Sequence, residues 1–267
     1  MDYKLLVMDL DGTIVGENNS VSEETIKTIA RLKKMGLQVI VATGRMLCSA
    51  LPIINKLGLT GPMITYNGAY IKDTYHNTVL YHKTIDLELA REILEEAEEK
   101  DLHINLYIDD RLYVAREDEL SRLYEKTSGI RAHAVGSLSS FMSKAPTKLL
   151  IITRDIERHD YFLRYFQEKY QDLLEITMSK YEFIEFMPAG TSKALALKVV
   201  SSNLGIGLSE VVAIGDSWND LSMIKEAGLG IVMGTAPEGV KKEADMIAPS
   251  YDEEGVSVIL KNIFESG

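Results

Sequence analysis

Lys4-Leu5-Leu6-Val7-Met8-Asp9-Leu10-Asp11-Gly12-Thr13 is the stretch that decides the fold. The run from Lys4 to Met8 lacks the polar alternation of a half-exposed strand and reads as a strand buried on both faces. It stops at two carboxylates and a glycine. Side chains along an extended chain repeat every two residues, so Asp9 and Asp11 share one face at the strand's carboxyl end. Gly12 lets the backbone turn sharply there and bring N–H groups together. An ordinary Asp-Gly turn with Asp11 in an Asx contact accounts for the same residues without any chemistry. The stretch must therefore be judged by its company.

Outward from it, strands and helices alternate. Ser22 to Lys34 carries Ile26, Ile29, Ala30 and Leu32 near helical spacing, and Ser20 with Glu23 is expected to form its capping box. Lys33, Lys34 and Gly36 suit a helix C-terminus. Leu37 to Ala42 is the next buried strand, which completes a βαβ unit and predicts a parallel sheet covered on both faces. The same order returns late in the chain. A helix is expected over Ser192 to Asn203, a strand over Val211 to Ile214, a helix over Ser217 to Ala227 and a strand over Gly230 to Val232.

The middle differs. Leu87, Ala90, Leu94 and Ala97 stripe one helix, and Ile104 to Ile108 with Leu112 to Ala115 reads as a hairpin turning at Asp109-Asp110. A helix around Leu120 to Thr127, short apolar segments at Ile130 to Val135 and Leu138 to Phe141, and a strand at Lys148 to Thr153 follow. A helix from Arg158 to Tyr170 leads to strands at Glu175 to Met178 and Phe183 to Met187. The expected fold class is α/β: a Rossmann-like parallel-sheet core of residues 1–83 and 188–267, interrupted by an α+β domain at 84–187.

Composition narrows the function. The 267 residues are 46% hydrophobic and 26% charged, the balance of an ordinary globular protein. A net charge of −11 and a pI of about 5.0 repel nucleic acid and anionic membranes, so neither is an expected partner. A small anionic substrate must then be drawn in by local positive charge or a bound cation. Cys48 is the one cysteine, which excludes an intrachain disulfide and a cysteine metal site and leaves a buried reduced thiol as the default. His76, His82, His103, His133 and His159 lack metal-ligand spacing. No apolar stretch is long enough to span a membrane, and no signal-peptide pattern precedes the first strand. The cytoplasm is the expected location.

The second candidate follows the strand Val211 to Ile214: Gly215-Asp216-Ser217-Trp218-Asn219-Asp220. Ser217 with Asp220 reads equally as a helix-capping pair, but capping does not account for Asp216. Two strands that each deliver carboxylates to one sheet edge make an all-oxygen pocket of the kind Mg2+ prefers. Thr43, in Ala42-Thr43-Gly44-Arg45, ends the second strand with a hydroxyl and a flexible amide. Lys193 falls in the first turn of a helix, where the macrodipole disfavours a cation unless an anion is near. Each feature alone has a bland reading as a turn or a solvated lysine. Together they supply what is needed to hold a cation and a phosphoryl group while a carboxylate attacks.

At this point the chain resembles the haloacid dehalogenase superfamily, in particular its Cof-type, sugar-phosphatase-like branch with a large α+β cap (type IIB). The matching stretches are Asp9 to Thr13, Thr43-Gly44-Arg45, Lys193 and Gly215 to Asp220, together with Asn67-Gly68-Ala69, Ala244-Asp245 and Asp252-Glu253-Glu254-Gly255. The resemblance implies a Mg2+-dependent phosphatase acting on a small phosphorylated metabolite through an aspartyl-phosphate. Asp9 would be the nucleophile and Asp11 the acid and base. Mg2+ would be held by the Asp9 carboxylate, the Asp11 carbonyl and Asp216, with Asp220 in support. Leu10, Thr43, Gly44, Lys193 and Asn219 would grip the phosphoryl oxygens. Trp218 and Thr235 depart from the family pattern at the rim of the pocket. A phosphosugar mutase of the same superfamily is the competing enzyme, and a receiver-like phosphoaspartate module the competing non-enzyme. Substrate identity and oligomeric state are left open by the sequence.

Overall fold

The computed structural model describes residues 3–16, 20–178 and 182–265. The first strand, β1 (Leu5–Met8), has all four side chains buried. Helix α1 (Glu23–Lys34) follows, capped by Ser22, whose hydroxyl accepts from Thr25 N at 3.1 Å. The expected cap at Ser20 is thus displaced by two residues. Ser22 has the extended backbone that a cap needs and also donates to Glu254 at 2.5 Å. Strand β2 (Gln38–Val41), helix α2 (Leu47–Lys56) and strands β3 (Pro62–Thr65), β4 (Tyr70–Asp73) and β5 (Thr78–His82) come next. The last three form a small sheet of their own, tied to the end of β2 by a single bridge between Ala42 and Ile64. Sequence reading anticipated none of the four elements after β2.

The middle of the chain contains α3 (Leu87–Glu99), β6 (His103–Ile108), β7 (Arg111–Val114), α4 (Glu119–Ser128), β8 (His133–Ala134), α5 (Leu138–Phe141), β9 (Lys148–Ile152), α6 (Ile156–Tyr170), β10 (Leu174–Met178) and β11 (Phe183–Pro188). The hairpin of β6 and β7 turns at Asp109 and Asp110, with φ of 51° and 57°. Two successive left-handed residues are what a two-residue hairpin turn demands, and Asp tolerates that region better than most side chains. The six strands are ordered β10-β11-β9-β6-β7-β8. On one face Ile104, Leu106, Leu149 and Phe186 form a core with Ile93 and Leu94 of α3 and Phe162 and Phe166 of α6. On β6 the alternate residues Asn105 and Tyr107 are also buried, and Lys148 pairs with Glu185 at 2.8 Å, both nearly enclosed.

The chain then continues with α7 (Lys193–Leu204), β12 (Val211–Gly215), α8 (Leu221–Glu226), β13 (Leu229–Met233), α9 (Glu238–Lys241), β14 (Met246–Ala248) and α10 (Gly255–Phe264). Helix α8 begins four residues later than expected, because Asp220 turns its carboxylate back onto the N–H groups of Asp216 and Ser217. Two compact units result: Met1–Arg45, Ala50–Tyr81 and Ser192–Gly267 make one, Met46–Ser49 and His82–Thr191 the other. Among the described residues no helix is long and apolar enough to cross a membrane.

In the first unit the sheet order is β14-β13-β12-β1-β2, every pairing parallel. Parallel strands must be covered on both faces. Leu5 and Val7 pack with Ala196, Leu197 and Val200 of α7 on one face. The alternate residues Leu6 and Met8 point the other way and are equally buried. β1 lies between β2, the next strand in sequence, and β12, which is reached only after the whole middle of the chain. Strand order therefore reverses direction at β1, and the carboxyl ends of β1 and β12 flank the crevice in which open α/β sheets bind ligands. Leu6→Ala should lower unfolding free energy by about 2–5 kcal/mol in chemical denaturation; a loss below about 1 kcal/mol would mean that β1 is not the packed centre of this sheet.

Candidate active site

The end of β1 is built around Leu10. Its carbonyl accepts from Thr13, Ile14 and Val15 at 3.3, 3.0 and 2.8 Å, which wraps Asp9 to Val15 into a tight turn. Gly12 sits in that turn at φ 79°, and a Cβ there would lie 2.4 Å from Oδ2 of Asp216. Both the backbone angle and the space require glycine. Thr13 Oγ1 donates to Asp216 Oδ1 at 3.0 Å and so fixes the second acidic strand end against the first.

Lys193 joins the two ends. It occupies the first position of α7, behind the cap Ser192, where the helix dipole disfavours a cation. Its side chain is fully buried, and Nζ donates to Asp9 Oδ1 at 2.5 Å and to Asp220 Oδ1 at 2.6 Å. Asp220 uses its other oxygen for the N–H groups of Asp216 and Ser217, both at 3.0 Å. Asp9, Asp216 and Asp220 thereby converge, each offering an oxygen within 4.8 Å of the others. They are the one such group of three His, Cys, Asp or Glu residues found among the described residues.

Electrostatics follow from this crowding. Burial raises the pKa of Asp9 well above the ordinary carboxylate range; the Lys193 charge opposes the rise, while Asp220 and Asp216 add to it. Burial, followed by the charge of Asp220, pushes Asp216 up to about 6. For Lys193, burial works to lower the pKa, but the Asp220 and Asp9 charges outweigh it and hold the ammonium above its usual value. The cluster is short of positive charge even with Lys193 in place.

Thr43 and Gly44 lie beside Asp9, because Ala42 N donates to the carbonyl of Met8 at 2.9 Å. Thr43 is buried, and its hydroxyl accepts from Arg45 N at 3.2 Å. The loop is gripped by Tyr66 and Asn67, two successive left-handed residues with φ of 51° and 52°, whose N–H groups donate to the carbonyls of Arg45 and Thr43 at 3.0 Å each. The Asn67 carboxamide lies where a Cβ on Gly44 would be 3.0 Å away, and its Oδ1 accepts from Asn219 Nδ2 at 3.1 Å. Asn219 and the Thr43-Gly44 loop are therefore linked through Asn67. Asp11 stands apart from the three converging carboxylates: both its oxygens are taken by the guanidinium of Arg45.

Sequence reading gave no individual role to Thr13, Arg45 or Asn67. Arg45 and Asn67 lie within quoted motifs, but only tertiary contact shows what they hold. Trp218 is exposed, with its ring laid over Gly239, and Thr235 is exposed as well. Cys48 is half-buried, and burial pushes its thiol up to about 12, unsuited to a nucleophile. No histidine belongs to the converging group.

A family model described as haloacid dehalogenase-like hydrolase matches residues 6–260. The 5-amino-6-(5-phospho-D-ribitylamino)uracil phosphatase YcsE of Bacillus subtilis is 31% identical over 268 residues, covering 98% of this chain and 96% of its own. Among solved structures, a haloacid dehalogenase-like hydrolase from Bacteroides thetaiotaomicron superposes with a TM-score of 0.92 at 30% identity, over 98% of this chain and all of that one. TM0651 from Thermotoga maritima superposes with a TM-score of 0.90 at 33% identity, over 97% of each. A parallel sheet whose adjacent strand ends present Asp9 and Asp216, with a buried lysine bonded to Asp9 and Asp220, agrees with what these likenesses say: the chain belongs to the haloacid dehalogenase-like hydrolases and is a Cof-type phosphatase, a phosphoric monoester hydrolase.

Proposed function

We propose that the protein hydrolyses small organic phosphomonoesters, sugar phosphates or similar metabolites, in a Mg2+-dependent reaction that passes through an aspartyl-phosphate on Asp9. The observation that carries this reading is the convergence of Asp9, Asp216 and Asp220 around one buried ammonium, where three carboxylates face a single positive charge. The pKa values of Asp9 and Asp216 are raised first by burial and further by the neighbouring carboxylates, and a divalent cation would offset both effects. An all-oxygen donor set suits Mg2+. The Asp9 carboxylate, the Asp11 carbonyl and Asp216 would hold it, with Asp220 in support. When bound, Mg2+ would supply positive charge to the phosphoryl oxygens and to the neighbouring carboxylates.

An Asp9 oxygen forms a bond to phosphorus as the ester P–O bond breaks, and the departing oxygen takes a proton from Asp11. Water then attacks phosphorus and gives a proton back to Asp11. The bond from phosphorus to Asp9 breaks, its electron pair returns to the carboxylate, and phosphate leaves. Thr43, the Gly44 amide, the Leu10 backbone, Lys193 and Asn219 bind the phosphoryl oxygens in this scheme. Lys193 holds Asp9 in one orientation while it attacks. Substrate selection is assigned to the α+β unit. A metabolite of modest size is favoured by YcsE, whose named substrate carries a phosphoribityl group.

Asp9→Asn should lower kcat by about three orders of magnitude or more while the far-ultraviolet circular dichroism spectrum is unchanged; turnover near wild type would remove Asp9 from the chemistry. Phosphate release from an aryl phosphate with Mg2+, without a bisphosphate activator, separates hydrolase from mutase: a mutase stalls. The pKa of Asp216, about 6, lies above that of an unfolded aspartate. Its ionisation therefore costs folding free energy that is absent at acid pH and fully present above about pH 6. Asp216→Asn should accordingly raise the melting temperature of the cation-free protein at pH 8 but not at pH 4, and should abolish stabilisation by Mg2+. A variant that melts lower at pH 8, or that keeps the Mg2+ effect, contradicts the assignment.

A further inference from the structure

Asp11 is required to give a proton to the leaving oxygen and to take one from water, yet its side chain is 59% exposed and sits in the turn beyond the end of β1. An exposed aspartate samples several rotamers, and a proton donor that samples several rotamers is seldom aligned with its target. Among the described residues one group restrains it. Arg45 Nε donates to Asp11 Oδ2 at 2.7 Å and Nη2 donates to Oδ1 at 2.5 Å, a fork that fixes both the position and the plane of the carboxylate. Among the described residues these are the hydrogen bonds made by the Asp11 carboxylate.

The restraint runs from Arg45 to Asp11 rather than the reverse. Arg45 has a side chain only 12% exposed, and its backbone is fixed at both ends. Its N–H donates to the Thr43 hydroxyl at 3.2 Å, and its carbonyl accepts from Tyr66 N at 3.0 Å, where Tyr66 is held in the left-handed region at φ 51°. A non-glycine residue keeps that conformation only when its surroundings over-determine it. The turn at Tyr66 and Asn67 thus anchors the Thr43-Gly44-Arg45 loop, and the loop projects a guanidinium onto the exposed carboxylate. A lysine could balance the charge but could not fix the plane.

We propose that Arg45 is a positioning residue for the proton transfers of Asp11: it orients the carboxylate and does not bind the phosphoryl group. The inference rests on the reading of Asp11 as acid and base. Its signature is a dependence on the leaving group. A phosphate ester of a weakly basic alcohol departs without help, whereas an ester of a strongly basic alcohol needs the proton.

The test measures kcat and KM for a series of substituted phenyl phosphates of increasing phenol pKa, with wild type, Arg45→Ala, Arg45→Lys, Asp11→Asn and the Arg45→Ala/Asp11→Asn double variant. Arg45→Ala should lose about tenfold in kcat on the best leaving group and about a hundredfold or more on the worst, with KM little changed. Arg45→Lys should fall between it and wild type. Added methylguanidinium should restore part of the activity of Arg45→Ala and none to Asp11→Asn, which also distinguishes a positioning defect from misfolding. The double variant should be no steeper than Asp11→Asn. A loss in Arg45→Ala that is equal for all leaving groups, or that appears mainly in KM, overturns the proposal and marks Arg45 as a phosphate ligand or a structural residue. If Asp11→Asn itself shows no added leaving-group dependence, the acid-base reading of Asp11 has failed, and the inference with it.

Discussion

A single buried ammonium holds the functional end of this protein together. Lys193 is fully enclosed at the start of α7 and is bonded to Asp9 at the end of β1 and to Asp220 at the start of α8. Removing a charge from water costs several kcal/mol, and the dipole of α7 adds to that cost. Only well-placed carboxylates offset it. Loss of either partner would leave Lys193 underpaired, so the ends of β1 and β12 and the start of α7 are fixed as a group. That constraint explains the glycines around it. Gly12 admits the Asp216 carboxylate, and Gly215 admits Asp220, whose Cβ would be 2.4 Å from a Cβ at that position.

Fixing the group has an electrostatic consequence. Three carboxylates and one ammonium do not balance, and burial together with the like charges of the neighbouring carboxylates raises the pKa values of Asp9 and Asp216. The protein tolerates this at a place where the sheet is otherwise hydrophobic and tightly packed. Such local cost is expected where a charged ligand completes the site. The net charge of −11 places the same demand on the whole molecule, since an anionic substrate approaches it against the overall field. The local cations Lys193 and Arg45, and a bound divalent ion in the proposed reading, work against that field.

Much of this was legible in the sequence, for a physical reason. A buried parallel strand is a short apolar run, and a carboxylate at its end is conspicuous; β1 with Asp9 and β12 with Asp216 could be found that way. The Asp109-Asp110 turn was legible because two-residue hairpins need left-handed residues. The segment from 47 to 82 was not. Helix α2 carries Pro52 in its interior, β3 and β4 have four residues each, and β5 is largely exposed, so none shows a sustained period. The shortened α8 was missed because Asp220 satisfies N–H groups behind it instead of ahead. Arg45 and Asn67 were within reach as motif members, but their partners Asp11 and Asn219 are distant in sequence, and only folding reveals those pairs.

The central claim is that a carboxylate oxygen of Asp9 takes the phosphoryl group. It is tested most directly by mixing enzyme, Mg2+ and a reactive aryl phosphate, quenching in acid within a turnover, and mapping the phosphoryl group by peptide mass spectrometry. The account predicts a single acid-stable, base-labile phosphoryl group on the peptide that contains Asp9. A phosphoryl group on any other residue would contradict it.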